Sequence, residues 1–183
     1  RRMAPGKNPT MMKTLEEILE AAIRHGFLDF YAGGALGWDT LCAEMVLKLR
    51  EQYPDVALHL VLPCPPEEQV KCWREADQEV YYQIYEKADS HEFTSGSYRR
   101  NCMHIRNQRL VQLSDCCIAY CENENAASGG TVNTVRYARR KQVPVFNLVV
   151  DNALESFLTY LSEREKNPQQ SVSYTHLTLP TIL

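Results

Sequence analysis

Two glycine pairs carry the first chemical signal in this sequence. Gly129-Gly130 sits in Ser128-Gly129-Gly130-Thr131, after the apolar run Cys116-Cys117-Ile118-Ala119-Tyr120 and before the helical run Val132 to Lys141. Gly33-Gly34 follows Phe27-Leu28-Asp29-Phe30-Tyr31-Ala32 and leads through Gly37 into a second helical run. Strand, glycine pair and helix in that order let a bound group approach the backbone closely. The unpaired N–H groups of the first helical turn and the positive end of the helix dipole then point at it. An anion, above all a phosphate, is the natural guest, and a plain tight turn is the alternative. Neither pair is followed by Gly-Lys-Ser/Thr, and neither has the three-glycine dinucleotide spacing, which argues against a classical ATPase or NAD site.

The residues that could complete such a site are few. Gly129, Gly130 and Thr131 would hold phosphate through backbone N–H groups and a hydroxyl, with Ser128 beside them and Thr134 one turn further on. Gly33 and Gly34 would form the facing loop. Asp39 falls in the first turn of the helix after Gly37, where a carboxylate either caps the helix or binds a ribose hydroxyl. Arg106 and Asn107 lie together in the helical run Asn101 to Leu113, and Arg106 would add charge-assisted bonds to phosphate. Trp73 belongs to an aromatic helical stripe that reads as core, although its place near the start would also let it stack on a base. His104 reads as a surface histidine. Arg139, Arg140 and Lys141 suit the dipole of a final helical turn without any ligand.

These residues need a scaffold, and the apolar periodicity supplies one. Helical faces at Met11 to Ile23, Trp38 to Leu49, Trp73 to Ala88, Asn101 to Leu113, Val132 to Lys141 and Ala153 to Glu165 alternate with short apolar runs at 27–32, 57–62, 116–120 and 143–148 and with a more polar strand candidate at 89–94. That alternation predicts an α/β fold with a Rossmann-like, doubly wound, mainly parallel sheet in a single domain. Ligands in such sheets bind beyond the carboxyl ends of the strands, where Gly33-Gly34, Pro63 to Pro66, Ser95 to Arg100 and Ser128 to Thr131 all fall.

Composition narrows the function classes. The 183 residues carry a net charge of −3, with 44% hydrophobic and 23% charged. A negative total argues against nucleic acid as a partner, despite Arg99, Arg100, Arg109, Arg136, Arg139 and Arg140. Seven cysteines without C-x-x-C spacing support neither a disulfide framework nor a metal site, and fit buried reduced thiols. No run approaches the roughly 18 apolar residues of a membrane span, so the expectation is no membrane and a cytoplasmic location. A homo-oligomer stays open.

The set Gly33-Gly34-Ala35-Leu36-Gly37-Trp38-Asp39, Val61-Leu62-Pro63-Cys64, Arg106-Asn107, Ser114 to Tyr120 and Ser128 to Thr131 resembles the YpsA-like branch of the SLOG superfamily over nearly all of residues 10 to 150. That branch is distantly related to the superfamily's best-known enzymes, the "lonely guy" phosphoribohydrolases, and to DprA/Smf proteins. The resemblance implies a Rossmann-like fold that binds a nucleotide or nucleotide-derived ligand. Members of the branch begin with a strand and a Thr-Gly-His-Arg motif, of which Arg1 would be the remnant. Residues 1–166 are therefore expected to form the nucleotide-binding domain without its first strand. Residues 167–183 are expected to be a non-native tail, since Val172 to Leu177 resembles a translated transposon end. Were the tail native, Pro180 would confine a strand there to an edge.

The same resemblance separates binding from cleavage. The hydrolases carry Met-His-x-Arg, matched by Met103-His104-Ile105-Arg106, and Gly-Gly-x-Gly-Thr-x-x-Glu, which is broken here. Val132-Asn133 replaces the second Gly-Thr, and Arg136 stands at the glutamate position. Cleavage of a glycosidic bond needs a carboxylate to stabilise charge or activate water, and arginine does neither. The expected function is ligand binding by a sensor or regulatory module. The alternative is a phosphoribohydrolase-like N-glycosidase relying on Asp39 and Arg106.

Overall fold

A computed structural model describes residues 8–166 and 178–182. Helix α1 (Pro9–Arg24) starts where Asn8 Oδ1 accepts from the Thr10 N–H at 3.1 Å, with Pro9 preset for the first turn. It is followed by β1 (Asp29–Ala32), α2 (Trp38–Arg50), β2 (Ala57–Leu62), the single turn α3 (Pro66–Gln69), α4 (Glu75–Lys87) and β3 (Ser90–Phe93). Then come α5 (Cys102–Gln112), β4 (Cys117–Ala119), α6 (Gly130–Arg140), β5 (Val145–Asn147), α7 (Ala153–Lys166) and β6 (Thr178–Ile182). The strands form one sheet in the order β3-β2-β1-β6-β4-β5, and every pairing is parallel.

Strand side chains alternate between two cores. Phe30, Ala32, Leu58, Leu60, Leu62 and Ile118 pack with apolar residues of α1, α2, α4 and α7. Val61, Cys117 and Ala119 face the other way, onto Leu110 and Val111 of α5 and Val132, Val135 and Ala138 of α6. Helices therefore cover both faces, and the chain is a single-domain, Rossmann-like, doubly wound fold. Trp73 precedes α4 and meets Tyr81 edge-on at 5.5 Å, as part of the first core. No helix among the described residues is long and apolar enough to cross a membrane.

The centre of the sheet departs from expectation. Segment 178–182, set aside as a tail, forms β6 and pairs with both β1 and β4. Pro180 is thus in an interior strand and not at an edge. The register explains how: Asp29 pairs with Thr178 and Tyr31 with Thr181, so Leu179-Pro180 oppose Phe30 in a bulge. A bulge leaves a residue outside the ladder, so the missing N–H of proline costs no pairing there. Arg1, the expected remnant of a motif, lies outside the described residues.

Two predictions come from this packing. Deleting residues 178–182 strips the inner edges of β1 and β4 together, and should replace a cooperative thermal melt with a broad, early loss of far-UV circular dichroism. An unchanged melt would contradict the arrangement. All seven cysteines are free, and Cys72 alone is exposed. Burial pushes the Cys117 thiol up to about 12. A disulfide-exchange reagent should therefore titrate one thiol rapidly in the native chain and all seven after unfolding.

Candidate functional site

Because all strands run the same way, the loops after β1, β2, β3, β4 and β5 share one rim. The loop after β1 is filled by side chains from α2, α3 and α5. Asp39, in the first turn of α2, turns back so that Oδ2 accepts from the Ala35 N–H at 3.1 Å and from Arg106 Nη1 at 2.9 Å. Asp39 is 8% exposed and Arg106 5%. The guanidinium lies where Gly33 has no side chain: a Cβ there would stand 1.4 Å from Arg106 Nη1 and 2.8 Å from Asp39 Oδ2. Gly34, at φ +65°, has a similar neighbour, since a Cβ would come within 2.6 Å of Leu62 Cδ2. Its carbonyl accepts from Gln69 Nε2 at 2.7 Å. The first glycine pair thus makes room for protein side chains.

Arg106 is not fully satisfied by them. Nη1 meets Asp39 and Nη2 lies 3.6 Å from Met103 Sδ, but Nε is buried with no acceptor among the described residues. Leaving a buried donor unpaired costs about 1–3 kcal/mol, so this N–H of α5, beside the first loop, has hydrogen-bonding capacity to spare.

The second glycine pair stays open. Helix α6 begins at Gly130 behind Gly129, whose φ of 156° and ψ of 148° suit only glycine, and no side chain caps it. Its first bond runs from the Asn133 N–H to the Gly129 carbonyl at 3.0 Å. The N–H groups of Gly130, Thr131 and Val132 therefore have no intrahelical acceptor. Ser128, Gly129 and Gly130 are exposed and Thr131 is half-buried.

Side chains from two elements hold the strand-to-helix loop in front of these groups. Asn147, buried at the end of β5, accepts from the Cys121 N–H at 3.0 Å and donates to the Cys121 carbonyl and Glu124 Oε1, each at 2.9 Å. Arg136 donates Nη2 to the carbonyls of Ala126 at 2.7 Å and Glu124 at 3.2 Å. Arg139 pairs with Glu124 as well. The arginine at the glutamate position of the hydrolases is thus a brace for the loop. Neither Asn147 nor this use of Arg136 was anticipated from sequence. The available signal was an amide closing the apolar run Val145-Phe146-Asn147, because a buried amide must find partners.

Helix α5 ties the two loops together. Arg106 reaches the first, while the next residue, Asn107, donates to Thr134 Oγ1 at 2.7 Å, and the Thr134 hydroxyl donates in turn to the Gly130 carbonyl at 2.7 Å. The proposed ligand residues Asn107 and Thr134 are thereby joined to each other, with the Thr134 hydroxyl proton already used. A second link crosses the sheet, where Trp38 Nε1 lies 3.5 Å from the Ile118 carbonyl and its ring meets Tyr120 at 5.5 Å. His104 faces solvent beside Gln108. In the loop after β2, burial pushes the Cys64 thiol up to about 11, with Cys102 and Glu68 adding to the effect, so it stays protonated near neutral pH.

Comparison with known proteins places these residues in a wider group. The model of the YspA SLOG family matches residues 6–154, a stretch that holds every candidate site residue and ends just inside α7. The UPF0398 protein of Halalkalibacterium halodurans is 30% identical over 146 residues, which is 78% of this chain and 76% of that protein. UPF0398 proteins of Bacillus thuringiensis strain Al Hakam and Bacillus cereus strain AH187 are each 29% identical over 118 residues. This chain spans 63% of the length of either Bacillus protein.

The ion pair under the rim gives a direct test. Replacing Arg106 with Met leaves the Asp39 carboxylate buried without its cation, which should cost about 3–5 kcal/mol in denaturant unfolding. The double change of Arg106→Met with Asp39→Leu should recover part of that loss. Additive losses would show that the two charges do not act as a pair.

Proposed function

We propose that this chain, which belongs to the YspA SLOG family, binds a nucleotide or nucleotide-derived ligand through its phosphate, as a sensor or regulatory module. The observation that carries the reading is the uncapped start of α6 on the same rim as a buried guanidinium with a free N–H. Backbone N–H groups at a helix start and an arginine are complementary to a phosphate dianion in charge and in donor geometry.

Each residue has a part in this reading. Gly130, Thr131 and Val132 offer N–H groups, Gly129 lets the phosphate approach the backbone, and Ser128 and Thr131 offer hydroxyls. Arg106 Nε supplies a charged donor from the facing side. Asp39 orients Arg106, since its Oδ2 already accepts two hydrogen bonds. Asn107 and Thr134 hold α5 against the start of α6. The use of Arg136 on backbone carbonyls favours holding a ligand over cleaving it, because the group that would activate water in the related hydrolases is absent from that position.

Isothermal titration of the chain with nucleoside mono- and diphosphates, ADP-ribose and cyclic dinucleotides tests the reading. Saturable heat with at least one of them is expected. A Gly129→Ala change should weaken that binding by about tenfold or more, roughly 1.4 kcal/mol, by forcing a Cβ into a glycine-only conformation. Absence of heat with the whole panel would overturn the proposal.

A further inference from the structure

A different cluster lies on the sheet face that α5 and α6 cover, away from the rim. Strand pairing sets Tyr31 beside His59 and His59 beside Ser90, so the three side chains share that face with Asp29. His59 Nε2 is 2.9 Å from Asp29 Oδ1, and His59 Nδ1 is 2.7 Å from Ser90 Oγ. The Tyr31 ring stacks on the imidazole with centroids 4.9 Å apart, which fixes its plane. An ionised carboxylate only accepts hydrogen bonds. A neutral His59 therefore carries its proton on Nε2, toward Asp29, and presents the Nδ1 lone pair to the Ser90 hydroxyl.

That is the order of nucleophile, base and orienting carboxylate that activates a serine. Ser90 is exposed on the edge strand β3, while Asp29 and His59 are half-buried. The other charged groups on this face are Glu92, two residues along β3, and Arg109 of α5. Arg109 grips Glu92 with bonds of 2.6 and 3.1 Å. The charge of Arg109 is therefore balanced by Glu92 on this face. Burial, reinforced by Asp29, holds the Tyr31 phenol above its ordinary range, so it stays neutral.

We propose that Ser90, His59 and Asp29 form a second reactive site, a serine nucleophile for activated acyl esters and organophosphorus electrophiles, separate from the phosphate rim. Ser90 Oγ bonds to the ester carbonyl carbon while its proton moves to His59 Nδ1. The bond to the leaving oxygen then breaks, and that oxygen takes the proton from His59. Water attacks the acyl group next, giving one proton to His59, and the acid departs as that proton returns to Ser90. Asp29 is a positioning residue that keeps the His59 proton on Nε2.

The test is reaction of the full chain with a fluorophosphonate and with p-nitrophenyl acetate, followed by peptide mapping. The native chain should be labelled on Ser90 much faster than the unfolded chain, and Ser90→Ala should remove the label without changing the melt. His59→Gln should slow labelling by roughly a hundredfold, the ordinary contribution of a positioned base. Asp29→Asn should also slow it, and should move the His59 proton to Nδ1 in imidazole 15N spectra. Equal labelling of native and unfolded chain overturns the proposal, and this comparison needs no variant to fold. Labelling at another residue, or an undiminished rate in His59→Gln, overturns it as well and leaves the cluster as a polar ladder that braces β3.

Discussion

A guanidinium and a carboxylate buried together across a glycine are the contact on which the rim depends. Removing two charges from water costs several kcal/mol for each, and attraction offsets this only where geometry is good and further hydrogen bonds are made. Asp39 meets that condition through Ala35 and Arg106, and Gly33 meets it by having no side chain in the way. Packed apolar residues in the same space would stabilise the fold about as well. What the ion pair adds is position: it holds the start of α2 to the middle of α5 and leaves one charged N–H without a partner.

The two glycine pairs show how one local pattern can lead to opposite outcomes. Both follow a parallel strand and precede a helix. Around Gly33-Gly34 the space left by missing side chains is filled by Arg106, Leu62 and Gln69, with Asp39 occupying the loop N–H. Around Gly129-Gly130 no side chain caps the helix, and the loop is restrained from behind by Asn147, Arg136 and Arg139. Helix α2 also starts without a side-chain cap, but its first residues, Trp38 and Asp39, are buried, so the first loop is a seat for an arginine, whereas Ser128, Gly129 and Gly130 are exposed. Helix α5 links them through adjacent residues, Arg106 and Asn107, which reach opposite neighbours.

The sheet imposes the rest. Parallel pairing sends the loops that follow the strands to one edge, and alternation along β1, β2 and β3 sends Asp29, Tyr31, His59, Ser90 and Glu92 to one face. Polar side chains in a half-covered layer must satisfy one another, and they do so across strands, through His59 and through the Arg109 grip on Glu92. Interior position also explains the bulge in β6, which admits Pro180 where a regular ladder would reject it.

The sequence by itself determined the parallel α/β class and the alternation of helices and strands up to α7, apart from the single turn α3, but not the central strand β6. Apolar period, glycine placement and helix starts are local properties, and each is written in a window of a few residues. Only the tertiary structure decided which glycine pair stays open, that Asp39 and Arg106 bind each other, and that Asn107 and Thr134 brace two helices. The same holds for Arg136, whose partners lie 10 and 12 residues away, for Asn147, which bonds to Cys121 26 residues away, and for the Ser90–His59–Asp29 row, whose members lie 31 and 30 residues apart. Hydrogen-bond partners across such separations depend on strand order, register and side-chain direction, and a sheet that places β6 between β1 and β4 is specified by no local window.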